Sequence, residues 1–116
     1  MDKVAILVKT LTSGGAEKQA TLLAKALARD YESHIIVLDG TAIDDRYYKM
    51  LDGTDVVIHA IRGGKAATFR AVLSLFREMR YRAVFSYLTA ANAVAAIAGK
   101  ITGTPVVTGI RSSWQR

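Results

Sequence analysis

Short apolar runs alternate along this chain with segments whose apolar residues recur at helical spacing. The apolar runs are continuous and bounded by charged or turn-forming residues, which is typical of buried strands. They lie at residues 3–9, 33–39, 55–61, 83–88 and 104–110. The helical spacing predicts helices at residues 15–29, 44–51, 65–81 and 89–101.

This alternation predicts an α/β fold, because strand–helix–strand units form right-handed crossovers that build a parallel sheet. The strands lack polar alternation, which indicates a sheet covered by helices on both faces. We therefore expect a doubly wound, Rossmann-like sheet of about five strands in the order 3-2-1-4-5. The chain ends at "RSSWQR", directly after the fifth strand, where a covering helix would normally follow. This predicts a domain that is truncated or completed by a partner.

In such sheets, ligands bind beyond the carboxyl ends of the strands, at the switch point of the strand order. With strands one and four as neighbours, the crevice is lined by the segments "TLTSGG", "SYLTAAN" and "GIRSSWQR". In the first segment, Gly14 and Gly15 precede a helix whose free N–H groups would bind a phosphate. Thr12 and Ser13 would add hydroxyl groups. Taken alone, the glycine pair is better explained by a tight turn that packs the helix against the strand. The dinucleotide and Walker A patterns are absent.

The other two segments supply further candidate residues. Ser86, Thr89 and Asn92 belong to the second segment, where Asn92 would reach the crevice from the first turn of its helix. Their alternative role is local capping of that helix. Arg111 follows the fifth strand, where a guanidinium would bind a phosphate or carboxylate. Its alternative is a solvated side chain near the chain end.

Composition narrows the choice of function. The chain has 116 residues, no cysteine and two separated histidines, so we expect one domain, no metal site and no cofactor. The net charge of +6 favours anionic partners. Residues 83–99 carry no charge, but their polar residues favour a buried strand and helix over a membrane span. The amino terminus lacks a signal peptide pattern, which predicts a cytoplasmic protein.

The segments "TLTSGGAEKQATLLAKAL" and "FSYLTAANAVAAIAGKITGTPVVTGIRSS" resemble the N-terminal domain of family 4 glycosyltransferases of the GT-B fold. The resemblance covers nearly all 116 residues in order. It implies a sugar transfer from a nucleotide-sugar donor to an acceptor, with this domain supplying most of the acceptor site. Gly14 and Gly15 then face the donor diphosphate, with Ser13 beside them. Asn92 and Arg111 become cleft-facing residues.

The chain also departs from the family. The second domain, with its E-x7-E motif and most nucleotide contacts, is absent, and Glu17, Glu32 and Glu78 do not have that spacing. We therefore expect residues 1–116 to be one domain of an enzyme, or half of a split enzyme, that transfers no sugar alone. The alternative is a stand-alone module that binds a phosphate-containing ligand without catalysis.

The helix predicted at 65–82 is basic, and its flank suggests where the protein lies in the cell. Its cations outnumber the single acidic residue, Glu78; they are Lys65, Arg70, Arg77, Arg80 and Arg82. Since many of these enzymes use lipid-linked acceptors, such a flank would contact the anionic inner face of a membrane. The alternative is an ordinary solvated helix face. We expect no nucleic acid partner, because no aromatic residues interleave with the basic ones.

Overall fold

The computed structural model describes residues 1–12, 14–87 and 89–110, without the side chains of residues 89–92, 109 and 110. The strands in this part of the chain are β1 (Lys3–Val8), β2 (Glu32–Val37), β3 (Val57–Ala60), β4 (Ala83–Tyr87) and β5 (Val106–Ile110). The helices are α1 (Gly15–Leu27), α2 (Asp45–Met50), α3 (Lys65–Met79) and α4 (Thr89–Thr102). Every element predicted from the hydrophobic pattern is therefore present, in the predicted order.

The strands form one parallel sheet in the order β3-β2-β1-β4-β5, which confirms the predicted doubly wound topology. β1 lies at the centre, with Lys3 opposite Glu32 of β2 and Val4 opposite Ala83 of β4. The order reverses between β1 and β4. The loops that follow these two strands therefore diverge at the carboxyl edge of the sheet and leave a crevice between them.

Both faces of the central strands are buried, which explains why their sequences do not alternate between apolar and polar residues. One face packs against α3 and α4; its buried side chains include Ala5, Leu7, Ile36, Val84, Val72, Phe76 and Ala95. The other packs against α1 and α2; its buried side chains include Ile6, Val8, Ile35, Val37, Ala20, Ala24 and Tyr47. The sheet is thus the middle of three layers.

The edge strands are less covered than the sequence predicted. Val57 and Ala60 of β3 are exposed, because this edge strand pairs only with β2 and the α2 helix has only six residues. At the opposite edge, Val107 of β5 is also exposed. Complete burial on both faces therefore holds for the central strands and not for the edges.

The third helix ends earlier than predicted. α3 stops at Met79, and Arg80 closes it in a left-handed conformation with φ 50° and ψ 55°. The basic segment expected to be helical through residue 82 therefore loses Arg80 and Arg82 from the helix. Arg82 lies in the connection to β4 and pairs with Asp2, with Nη1 2.6 Å from Oδ2.

Candidate functional site

The turn after β1 brings part of the predicted site together at the carboxyl edge of the sheet. Gly14 is the N-cap of α1, and Gly15 is its first residue. Thr12 precedes them, and its carbonyl accepts a hydrogen bond from the buried Tyr47 hydroxyl of α2. Burial raises the pKa of that hydroxyl, and its hydrogen bond joins the turn to α2.

Space, rather than backbone conformation, accounts for the first glycine. Gly14 has φ 173° and ψ 151°, an extended conformation that any residue adopts. A Cβ at this position, however, would collide with Oε1 at the end of the Glu17 side chain, so the carboxylate would have to move. The group that approaches the Gly14 backbone closely is therefore a carboxylate of the chain itself.

Glu17 was not among the predicted site residues, yet it organises the turn. Its side chain is buried, and Oε2 accepts hydrogen bonds from the Thr10 hydroxyl at 2.7 Å and the Thr12 hydroxyl at 3.3 Å. The Thr12 amide lies 3.4 Å from the same oxygen. Glu17 is three residues after the N-cap, the position from which a glutamate folds back over a helix start. That spacing was a signal in the sequence that could have identified it.

The outer side of the turn opens on a depression of about 680 Å³. Its lining consists of Gly14, Gly15, Lys18, Arg46, Tyr47 and Met50, so Glu17 is not part of it. Two cations thus flank the start of α1, where the helix dipole is positive. Arg46 also pairs with Asp44, at 3.2 Å between Nη2 and Oδ2. Within the described residues Lys18 forms no ion pair, which makes it the uncompensated charge of the depression.

The other predicted site residues are not shown to lie beside the turn after β1. Ser86 is fully buried in β4, opposite Leu7 of β1. Thr89 and Asn92 lie in the first turn of α4, but their side chains are outside the description, as are the whole residues Ser13 and Arg111. The described structure therefore unites Thr12, Gly14 and Gly15, and the contributions of the others stay predictions.

A cluster of titratable side chains lies away from this edge, between the sheet and α3. His34 is buried, with Nε2 2.7 Å from Oε2 of Glu32 and Nδ1 2.9 Å from the Tyr81 hydroxyl. His59 Nε2 is also 2.9 Å from His34 Nδ1. Burial, with a smaller effect of the neighbouring His34, lowers the pKa of His59. The His34 hydrogen bond lowers the pKa of Glu32.

Neither a metal-binding cluster nor a membrane-spanning helix occurs in the described part of the chain. No group of three or more histidine, cysteine, aspartate or glutamate residues there has a geometry that could hold a metal ion. No helix there is long and apolar enough to cross a membrane.

Comparison with known proteins supports the fold alone. The structure is similar to the crystal structure of the C-terminal domain of a hydrogenase from Pyrococcus furiosus, with a TM-score of 0.65. The match covers 94% of this chain and 90% of that domain, at 11% sequence identity. No family model and no curated protein matches the chain. The similarity establishes a Rossmann-like α/β arrangement, and at this identity it carries no argument about activity.

Proposed function

We propose that this chain is the N-terminal, acceptor-side domain of a GT-B glycosyltransferase. The enzyme would transfer a sugar from a nucleotide-sugar donor to a sugar or lipid-linked acceptor, in the synthesis of a surface polysaccharide or glycolipid. The observation that carries the proposal is the Gly14–Gly15 turn, which opens on a depression flanked by Lys18 and Arg46. The turn occurs within the "SGGAEK" sequence that resembles the family. The turn therefore lies where the resemblance predicts a diphosphate site, and its two neighbouring cations would attract a diphosphate.

The distribution of charge around the turn favours a phosphate on its outer side. Glu17 is directed towards Thr10 and Thr12, on the inner side. Lys18 lines the depression together with Gly14 and Gly15 at the start of α1, and the lining contains no carboxylate residue. A diphosphate there would gain charge-assisted hydrogen bonds, which are stronger than those between neutral groups.

The resemblance assigns the E-x7-E motif and most nucleotide contacts to a second domain. We therefore expect the chain by itself to bind the donor weakly, to transfer no sugar and to contribute mainly to acceptor binding. The proposed residues of the acceptor site or cleft remain Thr12, Ser86, Thr89, Asn92 and Arg111.

Contact with a membrane is a further part of this proposal. Arg70 and Arg77 are exposed on α3 and form no ion pairs within the described residues. They are two turns apart and so lie on one flank. Such a flank would attract anionic lipid headgroups, each basic residue contributing about 1 kcal/mol near the surface.

The site is tested by titrating the ¹⁵N-labelled chain with UDP-glucose and with pyrophosphate while amide shifts are recorded. We expect shifts at Gly14, Gly15 and Lys18, with a dissociation constant in the millimolar range. Lys18→Gln should weaken binding about tenfold, because a hydrogen bond to a charged group is lost. Lys25→Gln removes the same charge from the other end of α1 and should leave binding unchanged.

The comparison of the Lys18→Gln and Lys25→Gln variants can contradict the proposal. Equal binding by the Lys18→Gln and Lys25→Gln variants, or shifts confined to other parts of the chain, would remove the donor-facing role of the turn. The alternative function, a stand-alone module for a phosphate-containing ligand, is supported by the same uncompensated charge of Lys18. It predicts micromolar binding of one probe by the chain alone, whereas the transferase domain predicts weak binding of both probes.

A further inference from the structure

A second and larger cleft, of about 800 Å³, lies where β1, β2 and β3 end and α3 begins. It shares no lining residue with the depression beside Gly14. Lys9 reaches it from the end of β1, Asp39 from the end of β2, and Arg62 from the end of β3. Three consecutive parallel strands therefore each contribute a charged side chain to one cavity.

The charge of this cleft is predominantly positive. Its cations are Lys9, Arg62 and Lys65, and all three side chains are exposed. In the described part of the chain, none of them forms an ion pair. The single carboxylate in the lining belongs to Asp39, and its Oδ1 already accepts hydrogen bonds from the Thr41 hydroxyl at 2.5 Å and the Thr41 amide at 3.1 Å. The hydrogen bonds from Thr41 and, to a smaller extent, the charge of Lys9 lower the pKa of Asp39. Asp39 therefore offsets part of the Lys9 charge, and the lining keeps a net positive charge for a ligand.

The opposite wall of the cleft is apolar. It is formed by Leu38, Ile61, Phe69 and Val94. Ile61 belongs to the buried core on the α3 and α4 side of the sheet, and the other three side chains pack against that core. The wall is therefore held in place by packing, and it offers a ring and aliphatic groups to a ligand that also carries negative charge.

The start of α3 also lines the cleft, next to its charged and its apolar residues. Gly64 is the N-cap of this helix and has no side-chain cap, and the first turn contains no acidic residue. A Cβ at Gly64 would meet no atom within 4 Å, so the backbone there is open towards the cleft. Every helix start has free amides. Those of α3 adjoin a cavity that is also lined by three cations and an apolar wall.

We infer that this cleft binds a phosphate ester whose alcohol part is apolar. The phosphate would lie against the first amides of α3, between Arg62 and Lys65, and the apolar part would pack on Phe69. Lys9, directly after β1, would supply a third positive charge near the phosphate. This site goes beyond the proposed function, because it uses other residues and does not depend on a glycosyltransferase activity.

Phenyl phosphate is a suitable probe, because it combines a dianionic phosphate ester with one aromatic ring. In ¹H–¹⁵N spectra of the full chain, we expect it to shift the amides of Gly63, Gly64, Lys65 and Phe69. Inorganic phosphate should shift the α3 start at least tenfold more weakly, and phenol should cause no shifts. Equal affinity for inorganic phosphate and phenyl phosphate would overturn the apolar half of the assignment and leave a site for free phosphate.

Two substitutions of the same glycine test the charge without unfolding the helix. Gly64→Ser and Gly64→Asp both add a side-chain acceptor at an N-cap and should both raise the melting temperature slightly. Gly64→Ser should weaken the binding of phenyl phosphate only slightly, because its hydroxyl competes for the first amides of α3. Gly64→Asp also places a carboxylate in the cleft and should bind at least tenfold more weakly than Gly64→Ser. Lys65→Gln should weaken binding about tenfold.

The Lys18→Gln variant separates this site from the donor-facing turn. It should bind phenyl phosphate normally at the α3 start, even though its pyrophosphate binding at α1 should be about tenfold weaker. The inference is overturned if phenyl phosphate shifts only residues near Gly14, or if the Gly64→Asp variant binds as tightly as Gly64→Ser.

Discussion

At the scale of the residue, Glu17 shows how a short motif can serve two purposes. Its carboxylate fills the space beside Gly14 and binds Thr10 and Thr12. These contacts hold the inner side of the turn, whereas the depression lies beside Gly14, Gly15 and Lys18. The interpretation of the glycine pair as a structural turn and its interpretation as a phosphate site are therefore compatible, because they concern opposite sides of the same backbone.

The His34 cluster leads to a prediction about pH. Because the pKa of His59 is lowered in the folded protein, the unfolded chain binds a proton at a higher pH than the folded chain does. The free energy of unfolding should therefore fall as the pH is lowered from 7 towards 5, starting near the ordinary histidine pKa of about 6.5. Urea unfolding at several pH values would measure this dependence.

His59→Gln provides the control for this prediction. It removes the titrating group and should make the free energy of unfolding less dependent on pH over that range. Glu32 has a lowered pKa, so its contribution is present above its ordinary carboxyl pKa and is lost only at more acidic pH. An unchanged slope between pH 7 and 5 in the His59→Gln variant would show that His59 does not cause it.

At the scale of the element, the sequence was sufficient to predict each helix and strand. Continuous apolar runs and helical stripes recur over enough residues to outweigh local exceptions. The helix ends were harder to place, as the early end of α3 at Met79 shows. The depression beside Gly14 could not be predicted in full, because Arg46 and Tyr47 reach it from α2. Their position depends on the loop contacts of Leu11 with residues 42–44, and these follow no period in the sequence.

The end of α3 offers a test of stability. Arg80 adopts a left-handed conformation, which costs an L-residue about 1 kcal/mol or more and which glycine adopts freely. Arg80→Gly should therefore stabilise the protein by about 1 kcal/mol and raise the melting temperature by about 4 °C. Thermal unfolding followed by circular dichroism would measure the shift.

Arg80→Ala is the matched variant, since it removes the same charge and keeps a Cβ. It should not raise the melting temperature. If both substitutions were equally stabilising, the gain would come from removing charge among the neighbouring cations, and the conformational explanation would be wrong.

At the scale of the whole molecule, the order of the strands in the sheet is shown, whereas the size of the intact protein is a prediction. The proposed transferase needs a second domain for its donor, so the intact protein in the cells that make it should have about three times the mass of this chain. Intact-mass spectrometry after enrichment with an antibody to the chain would measure this. A mass equal to that of the chain would favour a split enzyme or the stand-alone binding module.

The central position of β1 also has a consequence for biosynthesis. Val4 of β1 pairs with Ala83 of β4, 79 positions later (83 − 4 = 79). At a translation rate of roughly 5–20 residues per second, the ribosome needs roughly 4–16 s to reach the partner strand. During that interval an apolar strand has one edge without a partner, the condition under which chains associate with one another. The nascent chain should therefore be a client of ribosome-bound chaperones until β4 emerges.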